Sequence, residues 1–541
     1  MRNRVRGRAP RQKSQKRLAE PRSIFRRSPF FDSGVLAEPL LAFGGQHRHP
    51  DQKTGLGLYG PYTLPAATEP PISTVTVGIV GPPGMMADAE QWLAACRGIL
   101  RNDGSEPFLY PHFPGMNTSP PFQCQLQTGD TWRESIKQSD LAAALGSPNF
   151  YERIKAVVRL YVNAIRVLCE RDPRPSVILC CIPQDVVDVC TVKTLRGGEE
   201  VRRRLTPAEK TGLKAARAGQ GFLFPDMNPT LGIEDQQQGH QNLRRGIKAE
   251  TMQLGIPTQL VWPLTLSLTD QEPLPGQRRP QDIATRAWNL TTALYHKAGA
   301  APWRLAEIEP GVCFVGVSFY RDHSGAAPTL RTSMAQAFTA AGDGYVLRGN
   351  SFEWNVAKQG PSPHLDAKNA AALMRGVLEL YQRQNRGSFP TRMVVHKSSR
   401  YWDDELAGFR ESCALVPQTD FIALGWRGIQ FYRPGLYPPL RGTYVRFSET
   451  DLLLYTVGYV PYLRTYPGAR VPQPLGIVEH HGDSPWDLVL KEILALTKMN
   501  WNTADFACSE PITLAFSRRV GQILAELPPH VTPRPEYRFY M

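Results

Sequence analysis

Apolar, β-branched runs alternate with stretches of helical period along most of this chain, and that alternation constrains the fold more than any other feature. From 74, STVTVGIVGPPGMMADAEQWLAACRGIL reads as a strand, a Gly-Pro turn and a helix with apolar positions near Met86, Ala89, Leu93 and Cys96. A long helix is expected at 151–170, then the strand SVILCCIP (176–183), a helix over 238–254, the strand TQLVWP and a helix over 282–298. Strands followed in turn by helices build a parallel sheet covered on both faces. A second alternation opens near 311. The strand GVCFVGVSF leads through shorter strands to 349, and the next helix keeps its period through Ala370, Leu373, Val377 and Leu380 behind an Asp366 cap. The strand RMVVHKS (392–398), the strands DFIALGW and TYVRFS, a helix opened by Ser484 and Pro485, and a last helix over 511–526 complete the pattern. The expected class is α/β, in two lobes divided near 300–310. A turn-rich segment, 28–73, reads as irregular chain wrapped on the larger body.

Composition excludes several classes. With 541 residues, 42% of them apolar, the chain buries a core without disulfide or metal support, and no apolar run approaches the roughly 18 residues of a membrane span. The nine cysteines are odd in number and form no CxxC pair, which fits a reducing cytoplasm and argues against a cysteine zinc site. The net charge of +14 suggests nucleic acid until it is located. Residues 1–27 hold eleven Arg or Lys against one acid, Glu20, so this tail supplies +10 and the other 514 residues only +4. Such a tail is expected to be disordered. It leans on phosphates without reading sequence, or merely solubilises the chain.

One constellation carries chemistry. HQNLRRGIKAETMQLGIPTQLVWPLTL (240–266) sets Arg244 and Lys248 four apart on one face of a helix that ends at Gly255 before Pro257, and Gln259 opens the next strand. Lys297 falls in the last turn of a later helix with the apolar stripe Ile283, Ala287, Leu290 and Leu294. Cations converging from separate elements suit a terminal phosphate, because charge-assisted hydrogen bonds offset its charge. On spacing alone the plainer reading is a solvated helix face and a lysine complementing a helix dipole.

Order and wording together resemble the MID domain of prokaryotic Argonautes, and the resemblance implies that Arg244, Lys248, Gln259 and Lys297 hold the 5′ phosphate of a guide strand. Arginine stands at 244 where many relatives have tyrosine or histidine. The second lobe resembles the PIWI domain, an RNase H-like fold, through VGVSFYRD, RTSMAQAF, YVLRG, MVVHKSSRYW, LLYTVGYVPYLRTYPG, LTKMNWN and PITLAFSRRVGQIL. The match covers residues 28–541. It implies a short prokaryotic Argonaute: a Rossmann-like MID lobe (74–305), an RNase H-like PIWI lobe (306–541), and a PIWI C-terminus, here Met541, beside the phosphate pocket with a bridging Mg²⁺.

Cleavage in this fold needs clustered carboxylates around two metal ions. The family's acidic positions fall on Ser318, Ser398 and Arg518, none of them an acid, so the resemblance implies a binding lobe without a catalytic metal pair. Asp322 lies four strand residues from Ser318, roughly 13 Å, too far to refill the site. Glu353 is the one carboxylate suggested for the family's mobile glutamate. Lys397 and Arg400, with Lys498, Asn500 and Asn502, are expected to contact the sugar-phosphate backbone of guide or target. EHHGD (479–483) and GQHRHPD offer no convincing metal site, because adjacent histidines in a strand point to opposite faces. The implied partners are a small guide RNA, a complementary single-stranded DNA target, and an APAZ-containing protein with a TIR, sirtuin or nuclease effector. Two alternatives stand beside this reading: a nuclease with an unusual set of acids, and a plain basic binder driven by the tail.

Overall fold

Val177–Cys181 is apolar at every position because it runs through the middle of a sheet packed on both sides. Ile178 and Cys180 face one apolar cluster, and Val177, Leu179 and Cys181 face another. The structure is a computed structural model. It describes residues 31–62, 72–190, 193–194, 200–201, 242–269, 281–322, 329–337, 344–354, 359 and 362–541, apart from 103, 105, 148, 427, 449–450, 469 and 529–530. The basic tail lies outside the described residues. So do positions 238–241 of the helix expected over 238–254.

The first sheet is parallel and runs Thr258–Val261, Val177–Cys181, Thr74–Gly81, Gln125–Gln127, with Arg133–Ser135 also pairing Thr74–Gly81. Phe150–Glu170 covers one face through Ile154, Val158, Tyr161 and Ile165, while Pro83–Ala95 and Ile283–Lys297 cover the other. Asn149 caps the long helix by accepting from the Tyr151 and Glu152 amides, and Asp282 caps the later one through Thr285. This is the Rossmann-like lobe.

The second sheet has nine strands, in the order Asp32–Val35, Thr443–Arg446, Leu452–Leu454, Leu475–Gly482, Gln418–Trp426, Arg392–Lys397, Val312–Asp322, Thr329–Ala337, Tyr345–Phe352. Its three central strands are parallel and its flanks antiparallel, an RNase H-like arrangement. Ala367–Gln384 and Asp403–Ser412 cover one face. Trp486–Leu496 and Ile512–Leu524 cover the other. Gly316 sets how closely that last helix approaches: a Cβ there would sit 2.0 Å from the Thr513 carbonyl oxygen. A single apolar cluster runs from Val75 and Trp92 to Leu490 and Ile512, so the two sheets share one core. Each fully buried Leu, Ile or Val in it contributes about 1.5–3 kcal/mol.

The segment expected to be irregular is more ordered than its turn-rich wording suggests. Asp32–Val35 forms an edge of the large sheet, and Leu41–Ala42 pairs both Arg48–His49 and Arg304–Leu305. Gln52–Tyr59 is a helix capped by Asp51. Its Gly55 is a packing device rather than a break, since it lies against the Phe43 ring where no Cβ fits. None of the helices among the described residues is long and apolar enough to cross a membrane.

Candidate nucleic-acid interface

The helix Leu243–Thr251 starts at Asn242, whose side chain accepts from the Arg245 amide, and buries Leu243 and Ile247. Its end at Gly255, in the left-handed region at φ 83°, returns the chain directly into Thr258–Val261. Arg244 and Lys248 therefore project from one face beside that strand. Ile283–Lys297 brings its last residue to the same place. The Lys248 Nζ donates to the Thr258 carbonyl at 2.9 Å, and the Lys297 Nζ donates to Gln259 Oε1. Arg244 donates to the Tyr540 carbonyl at 3.4 Å, which sets the C-terminal residue, the buried Met541, beside the cluster. The four side chains expected to meet are thus brought together, with the chain's end among them.

The electrostatics of this socket are one-sided. Lys248 is 1% exposed and Lys297 0%, yet neither pairs with a carboxylate among the described residues. Burial pushes the Lys248 ammonium well below the usual lysine range, and the neighbouring charges of Lys297 and Arg244 push it further. Lys297 falls to about 7, first through burial and then through Arg244. Arg244 is itself lowered to about 10, by burial and by Arg519 and Arg245. Arg519 is a cation that the sequence reading missed: it projects, exposed, from the Ile512–Leu524 helix, which packs on the Leu243–Thr251 helix. Beside Gln259 a cavity of about 340 Å³ opens between the lobes, lined by Trp262, Thr265, Gln281, Asn289 and Asn502 among others.

Of the residues expected on the groove rim, two are elsewhere. Lys397 is buried under the Phe319 and Tyr401 rings and paired with Glu405, and Lys498 is buried over Phe506 and paired with Glu38 at 2.8 Å. Both are structural ion pairs because their carboxylates come from packed neighbours: Glu405 from the first turn of Asp403–Ser412, Glu38 from the N-terminal segment. Asn500 is taken up in its own turn, donating to Thr503 Oγ1 and accepting from the Asn502 amide. Arg400 stays exposed, 3.7 Å from Glu479. Only Asn502 faces the cavity next to Gln259.

The strand register Val317↔Lys397 sets Ser318, on its strand, next to Ser398, which follows directly on the end of the neighbouring strand. Arg518 pairs with Glu510, whose other oxygen accepts from Trp426 Nε1 at 3.2 Å. Asp322 closes its strand four residues beyond Ser318. Glu353 follows Tyr345–Phe352 and faces a separate cavity with Trp354 and Trp402. His480 turns to Asp420 at 2.7 Å and His481 to the Tyr401 ring, the opposite directions expected of strand neighbours. Among the described residues no group of three or more His, Cys, Asp or Glu is placed to hold a metal ion.

No protein-family model matches the chain. Over 283 residues, 51% of this chain and 35% of the relative, it is 23% identical to the Argonaute of Aquifex aeolicus. The chain is an Argonaute homologue. Its fold matches Clostridium butyricum Argonaute, a structure bound to a guide DNA and a 19-mer target DNA, at a TM-score of 0.59 and 16% identity. It also matches Drosophila Piwi at 0.55 and 12%. Each match covers 94% of this chain and 54% or 56% of the other, so the chain spans about half the length of these Argonaute-fold structures.

Proposed function

We propose that this chain is a guide-dependent nucleic-acid sensor that anchors the 5′-phosphorylated end of a small guide RNA, pairs it with single-stranded DNA and does not cut the paired strand. The observation that carries this reading is the pair of fully buried lysines, Lys248 and Lys297, with no carboxylate to offset them among the described residues. Holding such charges out of water without a partner is unfavourable, and a phosphate monoester removes the penalty by bringing two negative charges and three acceptor oxygens. Gln259 fixes the Lys297 ammonium, and Arg244 and Arg519 add field from the open side. The Mg²⁺ expected there would rest on phosphate oxygens and the terminal carboxylate of Met541. These are hard donors that suit the ion, and among the described residues the socket offers no side-chain carboxylate.

The absence of cutting rests on Ser318, Ser398 and the Glu510-paired Arg518 at the three positions where the resemblance implies metal ligands. Target recognition would then act through an associated APAZ-bearing effector protein in a defence response. Guides of one sequence with a 5′-phosphate or a 5′-hydroxyl, as RNA and as DNA, test the reading. The phosphorylated RNA should bind at least about 100-fold more tightly than its hydroxyl form, from two charge-assisted contacts. Equal affinity for both ends would end the proposal. A defined target product in Mg²⁺ or Mn²⁺ would instead favour a nuclease, and loss of guide binding on deletion of residues 1–27 would favour a tail-driven binder.

A further inference from the structure

A second cavity, of about 360 Å³, lies at the other edge of the large sheet, where Tyr345–Phe352 ends against the starts of Ala367–Gln384 and Asp403–Ser412. Its chemistry is the reverse of the phosphate socket. Trp402, 41% exposed, stacks on His364 at 4.3 Å, and Trp354 closes on both rings at 5.5 and 5.9 Å. Around these rings stand three carboxylates, Glu353, Asp366 and Asp404. All three are exposed, and none pairs with a cation among the described residues. Asp366 accepts from the Asn369 amide as a helix cap, and Asp404 accepts from the Glu405 amide.

The floor of the cavity explains why its charge stays negative. Lys397, the nearest buried cation, is paired with Glu405, so the two interior charges cancel. His364 Nδ1 lies 3.1 Å from the Lys397 Nζ and 3.5 Å from Glu405 Oε2, so this edge of the ring is taken up by the buried pair. His364 is 94% buried, and its Nε2 forms no hydrogen bond among the described residues. His364 lines the cavity with its Nδ1 turned to that buried pair, which leaves Nε2 as the edge open to a ligand. Burial, followed by the Lys397 charge, lowers the pKa of this imidazole.

We propose that the cavity bounded by Trp354, Trp402 and His364 receives an arginine or lysine side chain from a segment of a partner protein. The cation lies over the indoles, the rim carboxylates offset its charge, and His364 Nε2 hydrogen-bonds the backbone of the same segment. A nucleic-acid backbone is disfavoured here, because three unpaired carboxylates would face its phosphates. The molecule thus has a cationic face for nucleic acid and a separate acidic, aromatic socket for protein. This assignment does not depend on guide binding.

The test uses the full chain and a labelled, end-blocked (Gly-Ser-Arg)4 peptide, with a citrulline version as the neutral isostere, read by fluorescence anisotropy. The arginine peptide should bind at least about tenfold more tightly than the citrulline peptide. Trp402→Ala and the pair Glu353→Gln, Asp404→Asn should each remove most of that difference, Trp402→Phe should restore part of it, and Trp426→Ala, at an exposed tryptophan elsewhere, should leave it unchanged. A thermal melt of each variant separates lost binding from lost folding. Equal binding of the two peptides, or wild-type binding by a folded Trp402→Ala protein, overturns the proposal. So does displacement of the peptide from this cavity by a single-stranded oligonucleotide. Tighter peptide binding after deletion of residues 1–27 assigns the cavity to this chain's own tail and overturns the partner assignment.

Discussion

Two pairs of buried lysines sit in this molecule under opposite conditions. Lys397 and Lys498 each meet a carboxylate, Glu405 or Glu38, and Glu38 is shared between Lys498 and Arg441. Lys248 and Lys297 meet a carbonyl and an amide, and their nearest charges are other cations. Burial lowers the pKa of all four. The neighbours then act in opposite directions: Glu405 and Glu38 raise their partners, whereas Arg244 lowers both socket lysines further. The first pair is complete as folded. The second has no counter-ion among the described residues, and on the proposed reading the guide's phosphate supplies it.

The largest effect that can break this comparison is on stability, and it has opposite sign for the two pairs. Lys397→Met leaves the fully buried Glu405 without a cation, whereas Lys498→Met leaves the half-buried Glu38 still held by Arg441. The first should cost about 3–5 kcal/mol and lower the melting temperature by several degrees, and the second should cost less. Lys248→Met and Lys297→Met remove charges that nothing offsets, so the free protein should melt at the same temperature or higher. A marked fall in melting temperature for the socket variants would show that those lysines serve the fold.

Next in size is the phosphate preference itself. Replacing Lys248 and Lys297 together should erase a discrimination of about 100-fold or more between 5′-phosphate and 5′-hydroxyl guides. Lys397→Met should leave that discrimination intact in whatever fraction stays folded. Binding assays on the two ends, run on both variants, place the phosphate in one cluster or the other.

The architecture was legible in the sequence because its signals are local. Period-two and helical patterns, the Asp366 cap, and Gly255 before Pro257 all describe a residue by its near neighbours, and the structure keeps each of them. The opposite directions of His480 and His481 follow from the strand repeat in the same way. Lys397 and Lys498 were misread because a lysine's role depends on what packs over it. Nothing near Lys498 in the chain announces Glu38, and the nearness of Glu405 to Lys397 acquires meaning only once a helix turns its first-turn acid back onto a strand. Arg519 was missed for a related reason. The resemblance drew the reading to Arg518, the family's acidic position, while it is the next residue, Arg519, whose charge acts on Arg244. Ser484, expected to open a helix, instead donates to Asp420, and Pro485 takes the cap position.

A smaller effect concerns protons. The Lys297 ammonium loses its proton near pH 7 in the free protein, and a bound phosphate favours the charged form, so the pKa rises on binding. Affinity for the phosphorylated guide should therefore be full below about pH 7 and fall above it, by at most about tenfold per pH unit for one proton, until the raised bound-state pKa is passed. Hydroxyl-ended guides should show a flat profile over the same range. The free protein should move the other way: with the folded-state pKa depressed, the unfolded chain holds more protons above pH 7, and stability should rise with pH through this range.

The smallest effect is the sharpest on mechanism, because it separates two adjacent arginines of one helix. Arg518 is held by Glu510, while Arg519 adds its charge to the field at Arg244. Arg519 is exposed, so its contribution is screened, and Arg519→Ala should weaken phosphorylated-guide binding by only about threefold to fivefold at 0.15 M salt, less at 0.5 M. Arg518→Ala should leave 5′-phosphate discrimination unchanged, because that guanidinium's charge is already offset. Equal losses from the two variants would mean that guide affinity reflects the general charge of the groove, and the socket would then lose its claim to be more than one basic patch among several. A loss confined to Arg519 would extend the binding cluster from the first lobe onto the last helix of the second, making the lobe interface part of the site.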